Sequence, residues 1–353
     1  MNKAEANTIK GIAIILMYVH HLFYLVDRVN KYNISPLFFS QNCMLKIGAY
    51  GKVCVAIFSF ISGYGLTKVF YGNSNCDARC IIKRVLRLQL STMLCLISGV
   101  AVASALGKHT YSEVYMGSGI VRSVLYFICD AAGLAFLYGT PLYNGAWWYL
   151  TIAIWIIVII PIVCSIIEKI GNKFIICFIF LYLAVKLHCV YDGFWLNLYI
   201  YGIFFPIVGV VLATHDEVMV FAKRKKRLFF IISVICIFIG YIGFDYISPN
   251  VEFILLLSVI GITFIGISLC ELNIIAKGLG ILGKYSKYMF LCHSFFLSYF
   301  FQEHIYSFRY PIIILAILIA ETLVVSIFLS VFEVKILYFL KKIINLMRDR
   351  VLL

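Results

Sequence analysis

Charged side chains are scarce in this sequence: 13% of its 353 residues, against 63% that are hydrophobic. An ordinary soluble domain carries roughly 25%. A chain with so little polar surface cannot cover its apolar bulk in water, which excludes a soluble globular protein. Acidic residues are the scarcer sign, 16 against 30 lysines and arginines, and the net charge is +14. Basic runs bind nucleic acid in other settings, but here they stand in short segments beside apolar runs, where they anchor against anionic lipid. Membrane lipids are therefore expected partners and nucleic acid is not. The run Lys223-Arg224-Lys225-Lys226-Arg227 reads as a topology signal.

Other absences narrow the field. No small-residue cleavage site follows the first apolar run, which continues as Leu22, Phe23 and Tyr24, so a retained helix is expected rather than a signal peptide. No spacing of ligand residues suits a metal ion. Most of the 12 cysteines lie inside apolar runs and behave as small apolar residues. Cys76 and Cys80 share a loop expected in the reducing cytoplasm, where a disulfide is not expected. Internal repeats and low-complexity segments are missing too.

What is present is a series of apolar runs. They predict an all-α polytopic bundle of about ten membrane spans: Gly11 to Val26, Leu45 to Val69, Leu88 to Leu106, Trp147 to Ile166, Phe174 to Cys189, Leu196 to Ala213, Leu228 to Tyr246, Val251 to Cys270, Tyr288 to Phe301 and Pro311 to Phe332. Ten spans of about 20 residues use roughly 200 positions. No separate soluble domain is expected: residues 1–340 read as one membrane domain and 341–353 as a short basic tail. Basic residues collect in alternate loops, which places both termini in the cytoplasm by the positive-inside bias and predicts a multi-pass protein of the inner or plasma membrane.

Chemistry starts on the first run. Eleven residues separate Lys10 from His21, about 1,100° of helical rotation, so the two side chains fall within roughly 20° of one face and about 16 Å apart along the axis. A lysine near the cytoplasmic rim thus aligns with a histidine near the middle of the membrane. A histidine at that depth either faces a cavity or hydrogen-bonds a neighbouring helix. His20 points about 100° away, so one of the pair is expected to line a cavity. Arg84 and Arg87, three apart, project from one helical face at the start of the third run; such a pair suits either a phosphate or lipid headgroups. Phe58 to Gly65 is rich in small residues that let another helix approach, and Ser62 has no base beside it in the sequence. Leu282 to His293 carries a further histidine into a span. In the longest extracytoplasmic segment, residues 107–146, the stretch Val121 to Phe136 is expected at the interface or dipping into the membrane. Tyr143, Trp147 and Trp148 suit either sugar stacking or an interfacial belt. Glu321, in mid-span, marks a pathway or an interhelical pair.

These features, in this order along nearly the whole chain, resemble the acyltransferase family 3 of integral-membrane acyltransferases: Lys10 to Ile14 with His21, Phe58 to Tyr64, Arg84 with Arg87, Trp148-Tyr149-Leu150, Gly283 to His293, and Phe332-Glu333. Lys10 stands where the family usually has arginine and keeps its positive charge; Ala56, Ser59 and Gln89 also depart from the usual pattern. The resemblance implies transfer of an acetyl or other short acyl group from acyl-CoA to a hydroxyl of a cell-envelope polysaccharide or its lipid-linked precursor. In that scheme His21 is catalytic, as general base or acyl carrier, and Lys10, Arg84 and Arg87 bind the donor. Ser62, Trp148, Tyr149, His293 and Glu321 are left as acceptor-side or structural residues. Acetyl-CoA or another acyl-CoA enters as cosubstrate, with no permanently bound cofactor. A secondary transporter or flippase of a glycan or small metabolite, with Glu321 and the histidines as proton relays, shares this composition, but no related halves are evident.

Alternation of basic loops makes a direct prediction: a reporter fused after Arg227 reads as cytoplasmic and one placed near Pro249 as external. A reversed pair of signals overturns the map.

Overall fold

The computed structural model describes residues 1–73, 78–108, 110–116, 119–188, 193–246 and 252–351. The described residues form helices and no strand. In order they are α1 (Lys3–Phe23), α2 (Val26–Lys31), α3 (Gln41–Tyr50), α4 (Val53–Phe70), α5 (Ala78–Ala105) and α6 (Thr110–Tyr115). Then come α7 (Ile120–Ala131), α8 (Ala135–Tyr138), α9 (Trp148–Ile170), α10 (Lys173–His188), α11 (Gly193–Asn197) and α12 (Phe205–Thr214). The last six are α13 (Asp216–Arg224), α14 (Lys226–Tyr246), α15 (Glu252–Leu269), α16 (Asn273–Ser294), α17 (Gln302–Tyr306) and α18 (Pro311–Val351). Among the described residues, eight helices or continuous helical pairs are long and apolar enough to cross a membrane. The two other expected spans fall on α10, 16 residues long as described, and on α16. The expected ends Cys189 and Val251 lie outside the described residues, as do Cys76 and Pro249.

Several helices start earlier than their apolar runs. Asn2 caps α1: its side chain accepts from the Glu5 N–H at 2.9 Å, and Glu5 accepts in return from the Asn2 N–H at 2.7 Å, so two amides without intrahelical partners are satisfied before the apolar stretch begins. Lys10 therefore lies two turns, about 10 Å, inside the helix. Likewise α5 starts at Ala78 and carries Arg84 and Arg87 on regular helix. The expected span at Tyr288 starts in the last third of α16, whose earlier turns bear Lys277, Lys284 and Lys287. Polar residues extend these helices because the backbone bonds within itself wherever the chain runs, whereas hydropathy reports only what the side chains touch. At the far end α18 passes residue 340 without a break.

Helix α1 lies parallel to α16 in close backbone contact. A Cβ on Gly11 would meet the carbonyl of Leu279, and one on Gly283 the carbonyl of Asn7. Close approach through small residues holds helices together where lipid removes any hydrophobic incentive to associate. The same device joins α4 to α12: Gly63 lies against Pro206 and Gly209 against the backbone of Phe60 and Tyr64, as the small residues of Phe58 to Gly65 predict. Tyr18 ties α1 to α18 and α16, donating to Thr322 Oγ1 at 2.7 Å and lying 3.3 Å from the Met289 carbonyl. Past Ser294, α16 widens into a π-helical stretch, Phe295–Phe300.

The segment after α5 folds as α6, α7 and α8 over one end of the bundle. Buried Asp130 accepts from Tyr115 OH at 2.6 Å and from the Tyr143 N–H at 2.7 Å, and desolvation pushes its carboxyl up to about 6 despite both donors. The opposite face of α7 exposes Ile120, Val121, Val124, Leu125 and Ile128.

The glycine contacts predict a selective sensitivity. Gly283→Ala should lower the thermal stability of the detergent-solubilised protein by about 1–3 kcal/mol, the range for forced overpacking. Gly280→Ala, on the same helix with nothing within 4 Å of its Cβ position, should be neutral or slightly stabilising. Equal effects would refute the contact.

Candidate functional site

A cavity of about 730 Å³ opens among α1, α4, α9, α16 and the end of the 107–146 segment. Its volume lies inside the range of about 300–1,000 Å³ typical of small-molecule sites. Lys10 and His21 both line it, so the stripe expected from helical periodicity exists in three dimensions. His20 lines it as well, against the expectation that one of the two would. Its ring is nevertheless tied down, with Nδ1 2.8 Å from the Gly48 carbonyl. The cavity wraps around the end of α1, so residues 100° apart both reach it. No hydrogen bond among the described residues occupies the ring nitrogens of His21, which remain available to a ligand.

His293 supports this end of the cavity from behind. It is fully buried, its ring centroid 4.7 Å from that of His21 and 5.7 Å from that of Tyr18. Its Nδ1 lies 2.7 Å from the Phe290 carbonyl. A carbonyl only accepts, so Nδ1 carries the proton and Nε2 is left to accept, 3.2 Å from Ser294 Oγ. The parallel packing of α1 and α16 sets the two histidines at one height.

Three lysines, Lys10, Lys52 and Lys287, line the cavity, and no aspartate or glutamate does among the described residues. Lys287 is held by Ser91 Oγ and Glu333 Oε2, each at 2.7 Å. Glu333 is buried and also accepts from Arg87 Nε at 3.1 Å and from Tyr288 OH at 3.0 Å. Arg84 and Arg87 stand outside the lining. Arg84 packs its guanidinium 5.8 Å from the Phe70 ring centroid, while Arg87, bound to Glu333 through Nε, keeps 60% of its side chain exposed. Their three-residue spacing on α5 is as expected.

Ser62, Trp148 and Tyr149 line the same cavity. Tyr149 OH is 3.1 Å from Ser59 Oγ, and among the described residues no imidazole or carboxylate bonds Ser62. Tyr143 and Trp147 do not present rings for stacking: both are buried. The Trp147 indole donates to the Leu291 carbonyl at 3.0 Å, where Asn144 Nδ2 also donates at 2.9 Å. Both residues fasten the 107–146 segment to α16 just before the helix widens. Glu321 is elsewhere. It borders a separate apolar cavity of about 620 Å³ walled by Cys95, Phe295, Phe300 and Val325 and pairs with His304 at 3.3 Å, an interhelical pair.

Lys52, Lys287, Asn144 and the role of Glu333 escaped sequence reasoning. Lys52 sits within an apolar run, and the partners of Lys287 are 196 and 46 residues away. The one available signal was a glutamate at the end of an apolar span, which needs a cation beside it.

A family profile described as an acyltransferase domain matches residues 3–331, nearly the whole chain. No curated protein and no solved structure matches the chain.

The Glu333 cluster predicts a measurable cost. Glu333→Ala strips the acceptor from three donors at once, and charge-assisted hydrogen bonds are worth about 1.5–3 kcal/mol each before solvent screening of the half-exposed cations. Thermal unfolding of the purified protein should register a clear loss, larger than that of Arg87→Ala. An unchanged melting temperature would count against the cluster.

Proposed function

The chain belongs to the acyltransferase family whose profile covers residues 3–331, and from that premise we propose that it moves an acetyl or other short acyl group from acyl-CoA to a hydroxyl of a cell-envelope polysaccharide or its lipid-linked precursor. The observation that carries the reading is the composition of the cavity. Three lysines, no carboxylate among the described residues, and a histidine with unoccupied ring nitrogens line one space. Positive charge, left without a carboxylate partner at Lys10 and Lys52 among the described residues, suits the phosphates of coenzyme A, and a free imidazole suits proton or acyl transfer.

In this reading both termini are cytoplasmic and the donor enters from that side, its phosphates near Lys10, Lys287 and the exposed face of Arg87. Arg84 adds charge at the rim. The pantetheine arm extends along α1, and about 16 Å of helix brings the thioester to His21. His21 takes the proton of the acceptor hydroxyl or receives the acyl group itself. Trp148 and Tyr149 lie on the acceptor side, and His293 holds the His21 ring.

Adjacent histidines supply the test. With acetyl-CoA and membranes at matched protein level, His21→Ala should still bind coenzyme A but lose about a hundredfold to ten-thousandfold in transfer, the usual cost of removing a general base. His20→Ala should keep most activity, losing the contact to Gly48. A dead His20→Ala beside an active His21→Ala would displace the chemistry by one residue; two active variants would refute it.

A further inference from the structure

Lys52 is an unusual place for a charge. It lies inside the 30-residue helical pair Gln41–Phe70, one of the membrane-crossing candidates, with 11 residues before it and 18 after. A lysine at either rim would anchor to lipid; one at this depth needs an anionic partner or a ligand. No carboxylate lies within 4 Å of its amine among the described residues. Lys52 instead lines the cavity.

Local structure places it at the histidine end. Helix α3 stops at Tyr50 and α4 starts at Val53, and Gly51 and Lys52 make the turn between them. A Cβ on Gly51 would meet the Leu16 carbonyl at 2.5 Å and the His20 N–H nitrogen at 3.0 Å, so only glycine permits this approach to α1. Three residues earlier, the Gly48 carbonyl meets His20 Nδ1 at 2.8 Å. Lys52 thus leaves the backbone beside His20 and His21, whereas Lys10 is ten residues back along α1, about 15 Å away along the axis. The cavity is positive at both ends.

We propose that Lys52 stabilises the oxyanion of acyl transfer. The assignment rests on the acyl-CoA reading above and adds a second group to its chemistry. The acceptor hydroxyl oxygen bonds to the thioester carbonyl carbon while its proton passes to His21. The carbonyl π pair moves onto oxygen, and the resulting alkoxide sits against the Lys52 ammonium. As it collapses, the C=O bond reforms, the C–S bond breaks, and the coenzyme A thiolate takes the proton from His21. Ester and free coenzyme A leave, with no other reactant needed. An ammonium in a space that shields it from water acts with most of its charge, as preorganised oxyanion donors do.

The experiment measures acetyl-CoA turnover in membranes by wild type, Lys52→Met and Lys52→Arg, with coenzyme A binding recorded in parallel. Lys52→Met should lose about a hundredfold to a thousandfold in kcat, the usual cost of one oxyanion donor. Its KM for acetyl-CoA and its coenzyme A binding should be unchanged, which also certifies its fold. Slow hydrolysis of acetyl-CoA in the absence of glycan should fall in parallel, because water as acceptor passes through the same oxyanion. Lys52→Arg should recover part of both rates. If Lys52→Met does not fold, the comparison moves to Lys52→Gln and Lys52→Arg, with activity expected only in the second. A raised KM for acetyl-CoA at intact kcat would assign the amine to the phosphates. Intact hydrolysis with failed glycan transfer would assign it to acceptor recognition, and wild-type behaviour throughout would leave it no role; each overturns the proposal. A wild-type protein that never turns over acetyl-CoA would refute the donor reading and this one with it, whereas an active wild type beside an equally active Lys52→Met refutes this one alone.

Discussion

The backbone contact between α1 and α16 is the constraint on which the rest depends. In lipid, two helices gain little from burying apolar side chains against each other, so association rests on close packing and polar contacts. Gly11 and Gly283 permit the approach, and the parallel direction sets its consequence. Residues at matching heights on the two helices meet, so His21 finds His293, and Tyr18 finds Met289 on its way to Thr322. Lys10 and Lys287 come to line one space. The cavity is thus a product of register: sliding one helix by a single turn would separate the histidines by about 5.4 Å.

The electrostatics follow the same logic of enclosure. Glu333 is almost wholly buried and surrounded by an arginine, a lysine and a tyrosine hydroxyl. One carboxylate fastens α18 to α5 and α16 at the same time and sets where the Lys287 amine stands. Glu333 itself is not among the residues that line the cavity, so its charge is offset by Lys287 and Arg87 while Lys10 and Lys52 keep the ligand space positive.

What could be read from the sequence was whatever obeys a local period. Composition separates a helical membrane bundle from every soluble class, and 3.6 residues per turn places Lys10 and His21 on one face. Arg84 and Arg87 follow by the same rule. Contacts made by packing were beyond reach. Lys52 hid inside an apolar run because hydropathy averages over the turn that points it into a cavity, and Glu333 could be seen as a motif residue but not as the partner of Lys287. Trp147 and Tyr143 looked like interfacial rings because aromatic residues at a predicted boundary serve both purposes; their burial depends on the 107–146 segment packing against α16. The beginning of α16 was missed since lysines on one face lower hydropathy without interrupting the helix.

Helix α16 and the π-helical stretch that follows it turn different sides to two cavities. Up to Phe290 the helix presents Ser286, Lys287 and Phe290 to the charged cavity. From Cys292 onward it presents Cys292, Phe295, Phe296 and Phe300 to the apolar one beside α5 and α18. Cys292 follows Phe290 by two residues, about 200° around the axis, so the ordinary pitch of the helix already turns the same rod toward a second room before the widened stretch begins. One helix thus walls both chambers, and the Phe290 carbonyl that meets the His293 ring stands where the one face gives way to the other.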